Sequence, residues 1–363
     1  MTMETDAKTI RSPFKHVLLA TDFAVSLEGS FKAALRLCEM NEASLWILHV
    51  LKGDAVTEAE TGLSPETGLF DSEALRLLKQ LSLRAREAGI DCKSSIETGV
   101  ASEKILKAID SDQIDLVILG TSEPRGSKRL VFGPTAEAVM RKAPCPIMTI
   151  GPVAADVMKK NSARGPIVFA TDFHALTRKA IRLAVLYSKS TALQLHCLHV
   201  LPRTLQVTDG DQTLSAILTS ALRHLAATCE IEADLPVCCV RFGSEISNAI
   251  VDYAREQQAS MIILGVRRSS MVTGDEPLPI AFRIITEAPC PVVTIVCESE
   301  AESISLSPAK SEASHFRAAM SYSSASDERR EALDGRGLPA DIGTEIQSLR
   351  RSMTPAPQAR AGS

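Results

Sequence analysis

Gly120 and Gly133 stand thirteen residues apart, and the segment between them carries Thr121, Arg125, Gly126, Lys128 and Arg129, with Pro134 and Thr135 directly after. These residue types suit one kind of chemistry, the holding of a phosphate or similar anion. Glycine lets backbone N–H groups come within hydrogen-bond reach of an oxyanion, and guanidinium and ammonium groups neutralise its charge. A helix starting near Gly133 would offer first-turn N–H groups with no partner in the helix, and the positive end of its dipole. Pro134 is compatible with such a start, although it removes one N–H donor.

The other chemistry-bearing residues have plainer roles beside the functional ones. Asp22 and Asp172 each follow Ala-Thr and precede Phe. A carboxylate there can meet a ligand or a metal, or it can cap the following helix; both roles stay open for Asp22, and capping is the reading for Asp172. Cys197 and His199 lie two apart and so share one face of a strand, but no further ligand types gather near them to complete a metal site. Cys238 and Cys239 are adjacent and point to opposite faces. The nine cysteines are odd in number and have no CxxC spacing. They are expected reduced and buried, not in a disulfide framework. No GxSxG, HExxH or comparable grouping of nucleophile, base and acid occurs, so the chain is not expected to be an enzyme. Nothing in the glycine segment names a general base beyond Glu123, its single carboxylate.

The elements that position these residues come twice. Ala20-Thr21-Asp22-Phe23 and His49-Val50-Leu51 recur 150 residues later as Ala170-Thr171-Asp172-Phe173 and His199-Val200-Leu201. Leu119-Gly120 and Ala143-Pro144-Cys145-Pro146 recur 145 residues later as Leu264-Gly265 and Ala288-Pro289-Cys290-Pro291. Four landmarks in one order mean a tandem repeat, with about five extra residues in copy 1 around Gly53 to Gly68. Short apolar runs read as strands: His16 to Thr21, Ser44 to Leu51, Cys92 to Glu97, Leu116 to Gly120 and Ile147 to Ile150. Leu27 to Met40, Asp71 to Ala88, Ser102 to Asp110 and Thr135 to Arg141 have helical spacing. Copy 2 repeats the strands near Ile167 to Thr171, Leu193 to Leu201, Pro236 to Arg241, Met261 to Gly265 and Val292 to Val296. Strand and helix in alternation predict an α/β fold with a parallel sheet covered on both faces, and ligands in such sheets sit beyond the carboxyl ends of the strands.

Ala-Thr-Asp-Phe after the first strand, His-Val closing the second, a glycine loop after the fourth and Ala-Pro-Cys-Pro before the fifth resemble the universal stress protein family, over residues of about 13 to 297. The resemblance implies two tandem open five-stranded parallel sheets of the adenine nucleotide alpha hydrolase-like, flavodoxin-like kind, with strand order 3-2-1-4-5 and helices on both faces. It further implies pairing of the copies through their fifth strands as a pseudo-dimer within one chain, with a homodimer as a further assembly. Its ligand would be ATP or another adenine nucleotide, with Mg2+. In copy 1 the implied contacts are Ala20, Thr21, Asp22, Val50, Gly120, Thr121, Arg125, Gly126, Lys128, Gly133, Pro134 and Thr135. ATP-binding members carry Gly, two residues, Gly, nine residues, Gly, then Ser or Thr. Gly120 and Gly133 occupy the outer glycine positions, whereas Glu123 stands at the middle one, Pro134 at the hydroxyl position and Thr135 one residue late. Copy 2 keeps Gly265 but has Arg268, Leu278 and Pro279 at the other three positions, and Gly274 comes four residues early. Copy 1 is therefore expected to hold a degenerate site and copy 2 to be a structural partner whose site is lost. The implied role is stress-linked sensing or regulation; the alternative is a nucleotide-free interaction scaffold acting through protein partners and the C-terminal tail.

Composition narrows the classes. Hydrophobic residues make up 45% and charged residues 23%, with a net charge of -4 and aromatics at 4%. The core must be aliphatic, and nothing interleaves aromatics with basic residues as nucleic-acid surfaces do. No run of about 18 apolar residues is present, and the N-terminal dozen is polar, so a cytoplasmic protein is expected. Of the 66 residues from Glu298 on, eight are Leu, Ile, Val or Phe, too few for a core. The expected division is a flexible N-terminus (1–12), a first domain (13–152), a linker (153–164), a second domain (165–297) and a disordered tail (298–363).

Overall fold

The computed structural model describes residues 12–24, 26–51, 65–121, 133–160, 165–173, 177–202, 211–229, 235–267 and 280–297. The tail from Glu298, most of the loop after Gly120 and the corresponding loop after Arg267 lie outside them.

Copy 1 runs β1 (His16–Thr21), α1 (Leu27–Asn41), β2 (Ser44–Leu51), α2 (Pro65–Glu87), β3 (Cys92–Thr98), α3 (Ala101–Ser111), β4 (Leu116–Gly120), α4 (Pro134–Lys142) and β5 (Ile147–Ile150). After a joining helix, α5 (Pro152–Lys160), copy 2 runs β6 (Ile167–Ala170), α6 (Thr177–Thr191), β7 (Leu195–Pro202), α7 (Asp211–Ala227), β8 (Val237–Gly243), α8 (Ile246–Glu256), β9 (Met261–Arg267), α9 (Ile280–Glu287) and β10 (Val292–Cys297). The helix after the second strand is 23 residues long in copy 1 and 17 in copy 2, which places part of the length difference in the helix itself.

Each copy has the strand order that the resemblance implies, but the two sheets are joined into one of ten strands, β3-β2-β1-β4-β5-β10-β9-β6-β7-β8. Pairing is parallel throughout except at the centre, where β5 meets β10 antiparallel with Met148 opposite Val293. The strands nearest the centre are apolar on both faces, with Leu18, Leu116, Ile118, Ile147, Ile167, Ile262 and Val292 fully buried. That is the pattern of strands covered on both sides by helices. One aliphatic core, drawn from α3, α4, α8, α9 and the strands beneath them, runs across the junction. Joining the fifth strands also removes two sheet edges that would otherwise invite pairing between chains.

The repeat is visible in the backbone as well as in the residues. Six non-glycine residues have positive φ among those described: Phe23, Glu42, Gln113, Phe173, Ala192 and Gln258. They form three pairs at the same offsets as the sequence landmarks. A left-handed conformation costs a residue with a side chain about 1 kcal/mol or more, so the same cost is borne at matching places in both copies.

Helix α5 was read from the sequence as linker, yet it is packed. Its Ala154 and Ala155 are buried against α1, and a Cβ placed on Gly29 of α1 would lie 2.6 Å from Ala155 Cα. The absence of a side chain at Gly29 and the small one at Ala155 let the two helices pack closely.

Candidate functional site

Chain leaves β1 and β4 side by side, because Ala20 and Leu119 are paired neighbours. The strand order reverses at this pair, with β2 next in sequence on one side and β5 on the other, which is the switch point where open α/β sheets bind ligands. Helix α4 begins at the same edge of the sheet, since it carries the chain from the end of β4 back to the start of β5.

Thr21, Asp22 and His49 build a tight turn there. Thr21 Oγ1 accepts a hydrogen bond from the Phe23 N–H (3.0 Å), and Asp22 Oδ1 accepts one from the Ala24 N–H (3.0 Å). His49 Nδ1 lies 2.8 Å from the Thr21 carbonyl, and the His49 ring packs on Phe23 with centroids 4.4 Å apart. A carbonyl only accepts, so Nδ1 carries the proton. Copy 2 repeats the arrangement: the Phe173 N–H donates to Thr171 Oγ1 (2.9 Å), His199 Nδ1 donates to the Thr171 carbonyl (2.7 Å), and Phe173 packs on His199 at 4.7 Å. His199 is 4% exposed, and that burial holds its pKa below the ordinary histidine value. The residues that recur between copies thus build the turn that carries Phe23 and Phe173 at positive φ, whatever else they contact. Ser26, not Asp22, stands at the N-cap position of α1. His199 also shares a face with Cys197, as strand alternation requires, but among the described residues no group of three potential metal ligands exists.

The two outer glycines of copy 1 differ in cause. A Cβ on Gly120 would lie 2.6 Å from Ser26 Oγ and 3.0 Å from Ser30 Oγ, so the start of α1 presses on the end of β4. Ser30 is 2% exposed and its hydroxyl has no partner among the described residues. Gly133, by contrast, has nothing within 4 Å of its Cβ position among the described residues, and its φ of -62° is ordinary. No crowding and no backbone strain explains a glycine there. It is the N-cap of α4 with no side-chain cap, and Pro134 at the first helical position leaves the Thr135 and Ala136 N–H groups unpaired within the helix. Glu137, the acidic residue of that turn, is held by Arg141 one turn on.

Thr121 closes the strand end, its N–H and Oγ1 both donating to the Ile150 carbonyl at 3.1 and 3.3 Å. Ala20 lies in β1 and Val50 in β2, both half-buried near the same edge. Arg125, Gly126 and Lys128, with Glu123, lie outside the described residues.

In copy 2 the equivalent strand does not stop at its glycine. β9 continues to Arg267, with Gly265, Val266 and Arg267 paired to Ile295, Val296 and Cys297 of β10. A Cβ on Gly265 would find its nearest neighbours at 3.6 and 3.7 Å, ordinary contact. Gly120→Ala is therefore expected to destabilise the protein by about 1–2 kcal/mol, and Gly265→Ala to change stability by less than about 0.5 kcal/mol, read from urea midpoints. Equal losses would mean that the press of Ser26 on Gly120 is not real.

Sequence reasoning did not find Ser26 and Ser30 beneath Gly120 or the longer β9. The first depends on helix placement; the second had a signal in the apolar, β-branched Ile262–Ile263 and Val266 flanking Gly265.

The pattern of the universal stress protein family matches residues 13–151 and 164–295. A universal stress protein of Methanocaldococcus jannaschii is 26% identical over 140 residues, 38% of this chain and 82% of that protein. A putative universal stress protein of Staphylococcus haemolyticus is 25% identical over 141 residues, 38% of this chain and 84% of its own. In fold, the chain is similar to the crystal structure of a universal stress protein from Archaeoglobus fulgidus, with a TM-score of 0.60 and 20% identity over 78% of this chain and 98% of that one. No helix among the described residues is long and apolar enough to cross a membrane. With both copies matched by the family pattern, and the repeated turn and strand order in place, this chain belongs to the universal stress protein family.

Proposed function

We propose that the chain is a stress-linked regulator whose first copy binds ATP or another adenine nucleotide, with Mg2+, at the carboxyl edge of β1 and β4, and whose second copy is a structural partner. The observation that carries this reading is the uncrowded, uncapped Gly133 at the start of α4. Among the described residues, its missing side chain leaves space in front of two N–H groups that have no partner within the helix, a cradle that a Cβ would fill. Asp22, exposed just after β1, is the carboxylate that would meet Mg2+. The asymmetry is supported by β9, which stays paired to β10 through Val266 and Arg267, two residues past Gly265, whereas β4 ends at Gly120. Glu123, at the middle glycine position, adds a carboxylate to the loop and lowers the affinity unless a cation stands between it and phosphate.

Denaturing the purified protein and analysing the small molecules released tests the reading. Adenine nucleotide approaching one per chain is the expected result. None released, together with no thermal shift on adding ATP and magnesium, overturns it in favour of a nucleotide-free scaffold that acts through protein partners.

A further inference from the structure

Of the eight cysteines whose burial is described, four are half-exposed: Cys145, Cys229, Cys238 and Cys239. The expectation of a uniformly buried set is corrected on that point. Cys238 lies on β8, the edge strand of the copy 2 half, directly in register with Cys197 of β7. Residues paired this way on neighbouring strands point to the same face, with Cα atoms about 4.8 Å apart, inside the range of about 4.4 to about 6.8 Å that a disulfide spans. Cys238 Sγ lies 3.7 Å from the Pro236 carbonyl, and its thiol interacts with that of Cys197. Cys229, just after α7, and Arg223 of α7 face the pair from the helix layer.

We propose that Cys238 and Cys197 form a peroxide-oxidisable dithiol, with the half-exposed Cys238 as the attacking sulfur and the buried Cys197 as the resolving one. The attack forms an S–O bond and breaks the O–O bond of hydrogen peroxide, and the hydroxide released takes up the proton lost from Cys238 to give water. Cys197 then attacks the sulfenic sulfur of Cys238; an S–S bond forms, the S–O bond breaks, and the departing hydroxide takes the Cys197 proton. Two thiols and one peroxide become one disulfide and two waters. The new bond would tie the edge strand β8 to β7, and a small thiol reductant would release it.

The assignment of roles follows from the surroundings. Interaction with the Cys197 thiol, with the Arg223 guanidinium nearby, holds Cys238 below the usual thiol range although partial burial opposes this, while Cys197 is held above it by the same interaction and by burial. Burial pushes Cys145 and Cys290 up to about 12, which leaves them almost no thiolate to react.

Reduced full-length protein treated with hydrogen peroxide, then alkylated and peptide-mapped, should lose two of its nine thiols to a single disulfide between Cys197 and Cys238. Cys145 and Cys290 should react on the order of tenfold more slowly or less. In Cys197→Ser the oxidation should stop at a sulfenic acid on Cys238, trapped by dimedone, and Cys229→Ser should leave the disulfide intact. Retention of all nine thiols, a bond mapped to Cys229 or between chains, or oxidation of Cys145 as fast as Cys238 would overturn the proposal.

Discussion

Val293→Lys is expected to leave no cooperatively folded protein at 25 °C. Val293 is 0% exposed, lies in β10 at the centre of the ten-stranded sheet, and faces Met148, itself 2% exposed, across the antiparallel junction. An ammonium placed there has no carboxylate partner on the paired strand and no path to water. The penalty for such an unpaired buried charge is several kcal/mol, comparable with the roughly 5–15 kcal/mol that holds a domain together. Because one core runs across the junction, the loss should reach both copies, not only the strand that carries the change. Amide exchange is the measurement: protection should fall together in β1 and β6, which lie on opposite sides of the junction. A variant that melts within about 2 °C of the parent, or that loses protection in copy 2 alone, would show that the halves stand independently.

Gly151→Ala should be, with Gly165→Ala, among the most costly single methyls that the described residues can receive. A Cβ at Gly151 would lie 2.0 Å from the Ile285 carbonyl oxygen and 3.1 Å from its carbon. These are backbone atoms of α9, so no side-chain rotation relieves the overlap; either the start of α5 or the end of α9 must move. Overpacking of this kind costs about 3 kcal/mol, and a melting temperature lower by on the order of 5–10 °C is expected. Gly133→Ala is the control, because nothing among the described residues stands within 4 Å of its Cβ position. It should shift the melting temperature by no more than about 2 °C.

What could be read from the residues and what could not divide along the range of the interactions. Strands such as Leu116–Gly120 and Ile147–Ile150 are apolar but for Thr149 and flanked by turn residues, so local pattern suffices, and the strand bounds coincide. Helix α5 escaped because its partner, Gly29, is more than a hundred residues away, and nine residues opening on proline carry little periodicity. One of the three paired left-handed positions escaped because the residue changes between copies, Glu42 against Ala192, while the conformation stays. At the site, spacing found both outer glycines but assigned them one cause. Gly120 is required by Ser26 and Ser30, a tertiary fact, whereas nothing among the described residues crowds Gly133. His49 and His199 were visible as landmarks, yet their work, a ring N–H donated to a threonine carbonyl, depends on a turn that only the folded chain brings within reach.

Titrating the full chain with ATP and magnesium tests the central claim most directly, with Gly133→Val and Leu278→Val, the matching position of copy 2, measured alongside. The account predicts one nucleotide per chain for the parent and for Leu278→Val, and none for Gly133→Val, with all three proteins folded by circular dichroism. Two nucleotides per chain, equal loss in both variants, or full binding by Gly133→Val would contradict it.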